Sequence, residues 1–203
     1  TSSMQAQNSN SYASTQISIL TIGPGTSLND AFGHNGIRVK TDYNDIVYDY
    51  GRFPFNDPNF YLNFARGKLL YSQGFSEYSQ VINFYKSQNR TIKEQVLNLS
   101  VKEKQDMHNY LINNALPENR DYLYDFFFDN CATKIRDVAE EITANDIVFH
   151  TPDNLGSHSF RDLIQQNLNW NSWGSLGIDV ALGSIIDRAA TPYEYMFLPE
   201  YIH

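Results

Sequence analysis

Cys131 is the only cysteine in this 203-residue sequence, and it directly follows Asp129-Asn130, two residue types that cap helices. A helix beginning at residue 131 puts the thiol at the positive end of the helix dipole. Unpaired backbone N–H groups there favour a thiolate and can also hold an oxyanion. The carboxylate of Asp129 acts in the opposite direction. A lone cysteine is also an ordinary small core residue, and composition does not separate the two roles. His34 follows a glycine at the mouth of a strand, where its ring could meet a nucleophile presented by a helix start. Such a pair needs a third group to orient the imidazole. Asp49, on the strand that returns beside His34, is the first candidate, because it alternates with Tyr48 and Tyr50 and so faces away from both. Asn130 is a second candidate for orientation or for an oxyanion contact, although its position better suits helix capping.

Other chemistries lack support. His108 falls inside an amphipathic helix, His150 and His158 flank a loop at a spacing unlike a zinc site, and His203 is terminal. No HExxH or GxSxG motif occurs, so metal hydrolysis and serine catalysis have no residues to work with. One cysteine allows no internal disulfide and no Cys-rich zinc site. No metal or cofactor is expected. The net charge of −8 opposes non-specific nucleic-acid binding, which needs a basic face. No apolar run approaches the ~20 residues that span a bilayer.

The elements that must position these residues alternate between strands and helices. Ile17–Ile22 reads as a strand stopped by Gly23-Pro24-Gly25. A hairpin follows, with one strand through Ile37 and Val39 and a return strand over Ile46–Tyr50 ended by Gly51. Asp57-Pro58 opens a helix to about Arg66. Lys68–Phe75 reads as a strand, Ser76–Ser87 as a helix capped by Ser76, and Thr91–Leu99 as a further strand. Ser100–Leu116 is the clearest helix, with Ser100 and Glu103 as a capping box and Met107, Tyr110, Leu111 and Ala115 on one face. The aromatic run Tyr122–Phe128 leads into the helix from Cys131 to Ile142, with Ile135 and Val138 inward. Ser159–Leu168 and a segment near Leu176–Ile186 complete the chain. Residues 1–16 are rich in Ser, Asn and Gln and are expected to form a disordered tail, such as follows a removed targeting segment. Residues 17–203 then form one α+β domain, whose 14 Tyr and 13 Phe supply bulky core material.

The blocks LTIGPG, FGHNGIRV, DIVYDYG, FYLNFARGKL, YDFFFDNCATKIRD, SFRDLI, GIDVALG and ATPYEYMFLPEY resemble the periplasmic N-terminal domain of the Lnb-type proteins of Bacteroidota, over residues 17 to 201. That family resembles in turn a permuted branch of the NlpC/P60, papain-like superfamily, in which a His-bearing strand precedes the Cys-bearing helix. The resemblance implies an antiparallel sheet packed with helices and a catalytic cysteine at a helix N-terminus. It makes His34 the FGH histidine and Cys131 the DNCAT cysteine. Asp49 best matches the polar residue that related enzymes use on the following strand.

The same resemblance implies a thiol acyltransferase of the periplasm. It would move an acyl chain from a phospholipid, through a Cys131 thioester, to the N-terminal amine of a diacylated lipoprotein. Family members usually continue into membrane-spanning segments, so association with the inner membrane is expected of the full-length protein. Two other readings use the same residues: a cysteine amidase or peptidase acting on cell-wall peptides, and a non-catalytic envelope binding module. The aromatic run Tyr122–Phe128 could line an acyl groove or belong to the core. Arg66, Lys68, Lys134 and Arg136 are candidates for a membrane-facing basic side.

Overall fold

A computed structural model describes residues 12–27, 30–53, 68, 70–144, 147–151, 153, 155–168 and 186–202. Six antiparallel strands form one sheet in the order β5-β1-β2-β3-β4-β6. They are β1 (Gln16–Ile22), β2 (His34–Lys40), β3 (Asp45–Arg52), β4 (Leu70–Glu77), β5 (Ile92–Val96) and β6 (Asp121–Leu123). The helices are α1 (Tyr78–Ser87), α2 (Val101–Asn114), α3 (Cys131–Ile142) and α4 (Phe160–Gln166), followed by two 3-10 turns, Glu194–Phe197 and Pro199–Ile202. The α+β class and antiparallel sheet agree with the expectation from sequence.

Period-2 alternation sends β1 side chains to two different cores. Ile17 and Ile19 join Ile37, Val39, Tyr48 and Tyr50 under α2 and α3, where Met107, Leu111, Ile135 and Val138 close the main core. Leu20 and Ile22 face the other way and, with Val47, pack against Tyr78, Val81 and Tyr85 of α1. The hairpin is therefore covered on both faces, not half-buried as its alternation suggests. Arg38 shows why the pattern misleads. It is buried, yet its fork meets Asp45 at 2.7 and 2.6 Å and Glu94 at 2.9 Å, and its guanidinium lies 3.5 Å over the Tyr78 ring. A third cluster joins Phe160, Leu163 and Ile164 of α4 to Phe126, Phe127, Tyr195 and Phe197.

Several boundaries differ from the sequence reading. Order begins ahead of Ile17: Thr15 is buried, and the Tyr12 hydroxyl lies 3.1 Å from His108 Nδ1. The tail expected over residues 1–16 is thus part of the domain from Tyr12 onward, and residues 1–11 lie outside the described residues. Ser76 does not cap α1. It belongs to β4, and the residue at the α1 N-cap is Glu77, with no side-chain cap bond. Gly51 does not end β3, which runs on through a register shift to Arg52. The helix expected over residues 57–66 and all of the 176–186 segment except Ile186 lie outside the described residues.

Candidate active site

The hairpin register carries His34 to one end of the sheet. Gly36 pairs with Asp49, so two residues further on His34 of β2 lies level with Gly51 of β3. The residues around His34 each have a physical reason. Phe32 meets the Phe126 ring edge-on at 5.2 Å between centroids. Gly33 has φ +83°, and a Cβ there would lie 2.6 Å from the Ile22 carbonyl oxygen. Only glycine fits that turn. Asn35, fully buried, donates its side-chain amide to Thr21 Oγ1 at 3.0 Å and to the Pro199 carbonyl at 3.2 Å.

The DNCAT block builds the facing helix start. Asp129 pairs with Lys134 at 2.6 Å, which offsets the negative charge beside the thiol. Asn130 is the N-cap of α3, accepting from the backbone N–H groups of Ala132 at 2.8 Å and Thr133 at 3.0 Å. The Thr133 hydroxyl closes the box by accepting from the Asn130 N–H at 2.8 Å, and Ala132 is fully buried. Both amide hydrogens of Asn130 are spent, on the carbonyls of Phe126 and Phe197, each at 2.8 Å. Asn130 therefore holds the helix start and has no side-chain donor left for an oxyanion. The backbone N–H of Cys131 is not used by the cap. Asn130→Ala removes the cap and strands two carbonyls, so a destabilisation of about 3 kcal/mol is expected in denaturant unfolding.

The structure brings Cys131, His34 and Asp49 together. His34 Nε2 lies 3.1 Å from Asp49 Oδ2, and the two side chains are about one-fifth exposed. With Nε2 engaged by the carboxylate, Nδ1 is the nitrogen available for another partner. The partly exposed Cys131 sulfur is close enough to the ring to help raise its pKa. Gly51, at φ +96°, lies beside the thiol: a Cβ there would sit in ordinary contact, 3.7 Å from Cys131 Cβ.

Burial opposes the His34 imidazolium, but the Tyr85 hydroxyl, the Cys131 sulfur and Asp49 outweigh it and hold the His34 pKa well above its ordinary value. Burial likewise opposes the Asp49 carboxylate, yet His34 and Arg52 hold its pKa below the usual value. The signs give two limbs. His34 contributes stability below about pH 6.5 that is lost as pH rises through its raised pKa. Asp49 contributes stability above about pH 4 that is lost as pH falls through its lowered one. Thermal unfolding followed against pH should show both declines, and His34→Gln should remove most of the alkaline one.

Tyr71, Tyr122 and Tyr124 surround the thiol, and for each burial comes first and Cys131 second in raising the phenol pKa, to about 12 for Tyr71. Tyr71 and Tyr124 stack at 4.2 Å, and the Tyr122 hydroxyl is buried without a hydrogen-bond partner. The aromatic run thus divides between this cluster and the core: Phe126 and Phe127 pack against Phe197, while Phe128 is exposed. His34 and Asp49 also open onto a cleft of about 250 Å³ between the sheet and α1. Its walls mix Ile22, Val81 and Phe84 with Arg52, Ser76 and Gln80, and Cys131 is not among them.

The profile of one protein family matches residues 2–166, a span that contains His34, Asp49 and Cys131. The chain belongs to the Lnb N-terminal periplasmic domain family. Comparison with curated proteins and with solved structures gave no match. In this Lnb domain the segment beyond the matched span still bears on the site, because Phe197 and Pro199 accept from Asn130 and Asn35, the neighbours of Cys131 and His34. No helix among the described residues of this periplasmic-type domain is long and apolar enough to cross a membrane. Among the described residues no group of three His, Cys, Asp or Glu side chains could hold a metal ion.

The basic side expected for membrane contact is largely committed elsewhere in the Lnb domain. Arg136 is buried, pairs with Asp137 at 2.7 Å and lies 4.0 Å over the Tyr193 ring. Lys134 is taken by Asp129 and lies 4.7 Å over Tyr122. Lys68 is exposed, and Arg66 lies outside the described residues. Arg52, which sequence reasoning passed over, donates to Asp49 and is the residue it missed. A single arginine after a glycine carries no local signal of that contact.

Proposed function

We propose that this domain is a cysteine-dependent acyltransferase in which Cys131 is the nucleophile, His34 the general acid–base and Asp49 the orienting carboxylate. The observation that carries the reading is a helix-start thiol that interacts with a histidine whose other nitrogen is held by a carboxylate. Membership of the Lnb family supports the choice of substrate: a phospholipid as acyl donor and the N-terminal amine of a diacylated lipoprotein as acceptor. A His-bearing strand ahead of a Cys-bearing helix is also the order of a permuted papain-like site.

In the first half-reaction the thiol proton passes to His34 Nδ1 and the sulfur attacks the ester carbonyl. The backbone N–H of Cys131 is the donor available to the developing oxyanion, since the next two are taken by Asn130. One such donor is worth about 3 kcal/mol in comparable sites. Collapse breaks the C–O bond, and the alkoxide leaves as lysophospholipid with the proton from His34. In the second half-reaction the α-amine attacks the thioester, His34 takes its proton, and the C–S bond breaks. The proton returns to sulfur and the product is an N-acyl amide.

Mixing a short-chain phospholipid, a synthetic diacylated lipopeptide and the protein, then reading product masses, tests the assignment. The expected product is the N-acylated lipopeptide plus lysophospholipid with wild type and neither with Cys131→Ala. Hydrolysis of cell-wall stem peptides without acyl transfer would replace this reading with the amidase or peptidase one. Inactivity on both, with an unreactive thiol, would leave the binding module.

A further inference from the structure

Strict alternation would place Asp49 and Arg52, three residues apart, on opposite faces of β3. They are on the same face. The β3–β4 register passes from Asp49 opposite Gly74 to Arg52 opposite Ser72, so β3 holds one extra residue, with Gly51 at φ +96°. This bulge turns Arg52 back toward Asp49. Arg52 Nε donates to Asp49 Oδ1 at 2.8 Å, its terminal nitrogen reaches the same oxygen at 2.7 Å, and it also donates to Ser76 Oγ at 3.0 Å. The guanidinium lies flat on bare backbone: a Cβ on Gly74 would fall 2.2 Å from Arg52 Nε and 2.4 Å from its Cζ.

We propose that Arg52 is a positioning residue for the imidazole: seated by the Gly51 bulge and the Gly74 groove, it clamps one Asp49 oxygen so that the other holds the His34 Nε2–H. A carboxylate held on one side only can rotate and offer either oxygen. With Oδ1 occupied by the fork, only Oδ2 faces the ring, which fixes the tautomer that presents the Nδ1 lone pair to Cys131. The planar fork matters as well as the charge, so lysine is not an equivalent. This inference rests on the His34–Cys131 reading above.

Cys131 is the only thiol, so its alkylation by iodoacetamide across pH reports the pair directly, and nitrogen NMR of His34 at alkaline pH, above its raised pKa where the ring is neutral, reports the tautomer. Arg52→Ala and Gly74→Ala are each expected to slow alkylation near neutral pH by about fivefold to tenfold and to mix the His34 tautomers. Arg52→Lys stays slow. Gly74→Ala leaves every charge in place, and alanine in a strand is otherwise better than glycine, so its effect isolates the seat of Arg52. Because the added methyl meets Arg52, the double variant Arg52→Ala/Gly74→Ala is expected to be no slower than Arg52→Ala alone. Thermal melts identify any variant that fails to fold. If His34→Gln slows the thiol but both single variants react within about twofold of wild type, Arg52 does not position the pair. A multiplicative double variant overturns the proposal in the same way. If His34→Gln itself reacts like wild type, the underlying pair is wrong and the Arg52 role falls with it.

Discussion

Replacing His34 with glutamine is expected to slow alkylation of Cys131 at about neutral pH by a hundredfold or more, within the range for loss of a positioned general base. Glutamine is close in size to histidine and can still donate to Asp49, so the Asp49–Arg52 pair should survive. What it lacks is a nitrogen that accepts the thiol proton. The pH profile should change with the rate. The rate difference between wild type and His34→Gln should depend on pH, because only the histidine ring changes its protonation across the neutral range. Stopped-flow alkylation with mass detection measures both. Equal rates and superimposable profiles would mean that the ring does not act on the sulfur.

Gly33→Ala is expected to cost about 3–5 kcal/mol and to lower the melting temperature by roughly 10 °C in a domain of this size. Two effects add. The backbone sits at φ +83°, where a side chain is strained, and the new Cβ would lie 2.6 Å from the Ile22 carbonyl oxygen, a backbone atom fixed in β1. Relief would require moving β1 or the first residue of β2, which is His34. Gly51→Ala provides the comparison. Its φ is +96°, but the nearest atom to a Cβ is Cys131 Cβ at 3.7 Å, an ordinary contact. Strain alone remains there, worth about 1–2 kcal/mol. Calorimetry of the two variants should therefore rank Gly33→Ala well below Gly51→Ala. The reverse order would contradict the geometry given to the loop before His34.

The elements that carry the site were legible where the signal is local. The Ser100–Glu103 capping box forms, with Ser100 accepting from the Glu103 N–H. Asp129-Asn130 does precede a helix beginning at Cys131, and Ile135 and Val138 are buried on its inner face. The alternation of Tyr48, Asp49 and Tyr50 placed Asp49 on the face that reaches His34. What stayed hidden depends on partners far away in sequence. Arg136, a candidate for the membrane-facing side, and Arg38, on the polar side of the β2 alternation, are buried instead, held by ion pairs and tyrosine faces. The bulge at Gly51 was read as a strand end, since a period-2 pattern does not distinguish a stop from an inserted residue. Ser76 looked like a helix cap because its hydroxyl type fits one, whereas it accepts from Arg52 on the neighbouring strand. Asn130, legible as a cap, also donates to Phe197, a contact spanning 67 residues that no local motif announces.

Intact mass after incubation with a short-chain phospholipid decides whether Cys131 carries an acyl group during turnover. One added acyl mass is expected on wild type, removed by hydroxylamine, absent from Cys131→Ala and strongly reduced in His34→Gln. A wild-type protein that stays unmodified, with a thiol equally inert to iodoacetamide, would contradict the thioester mechanism and return Cys131 to the role of a packing residue.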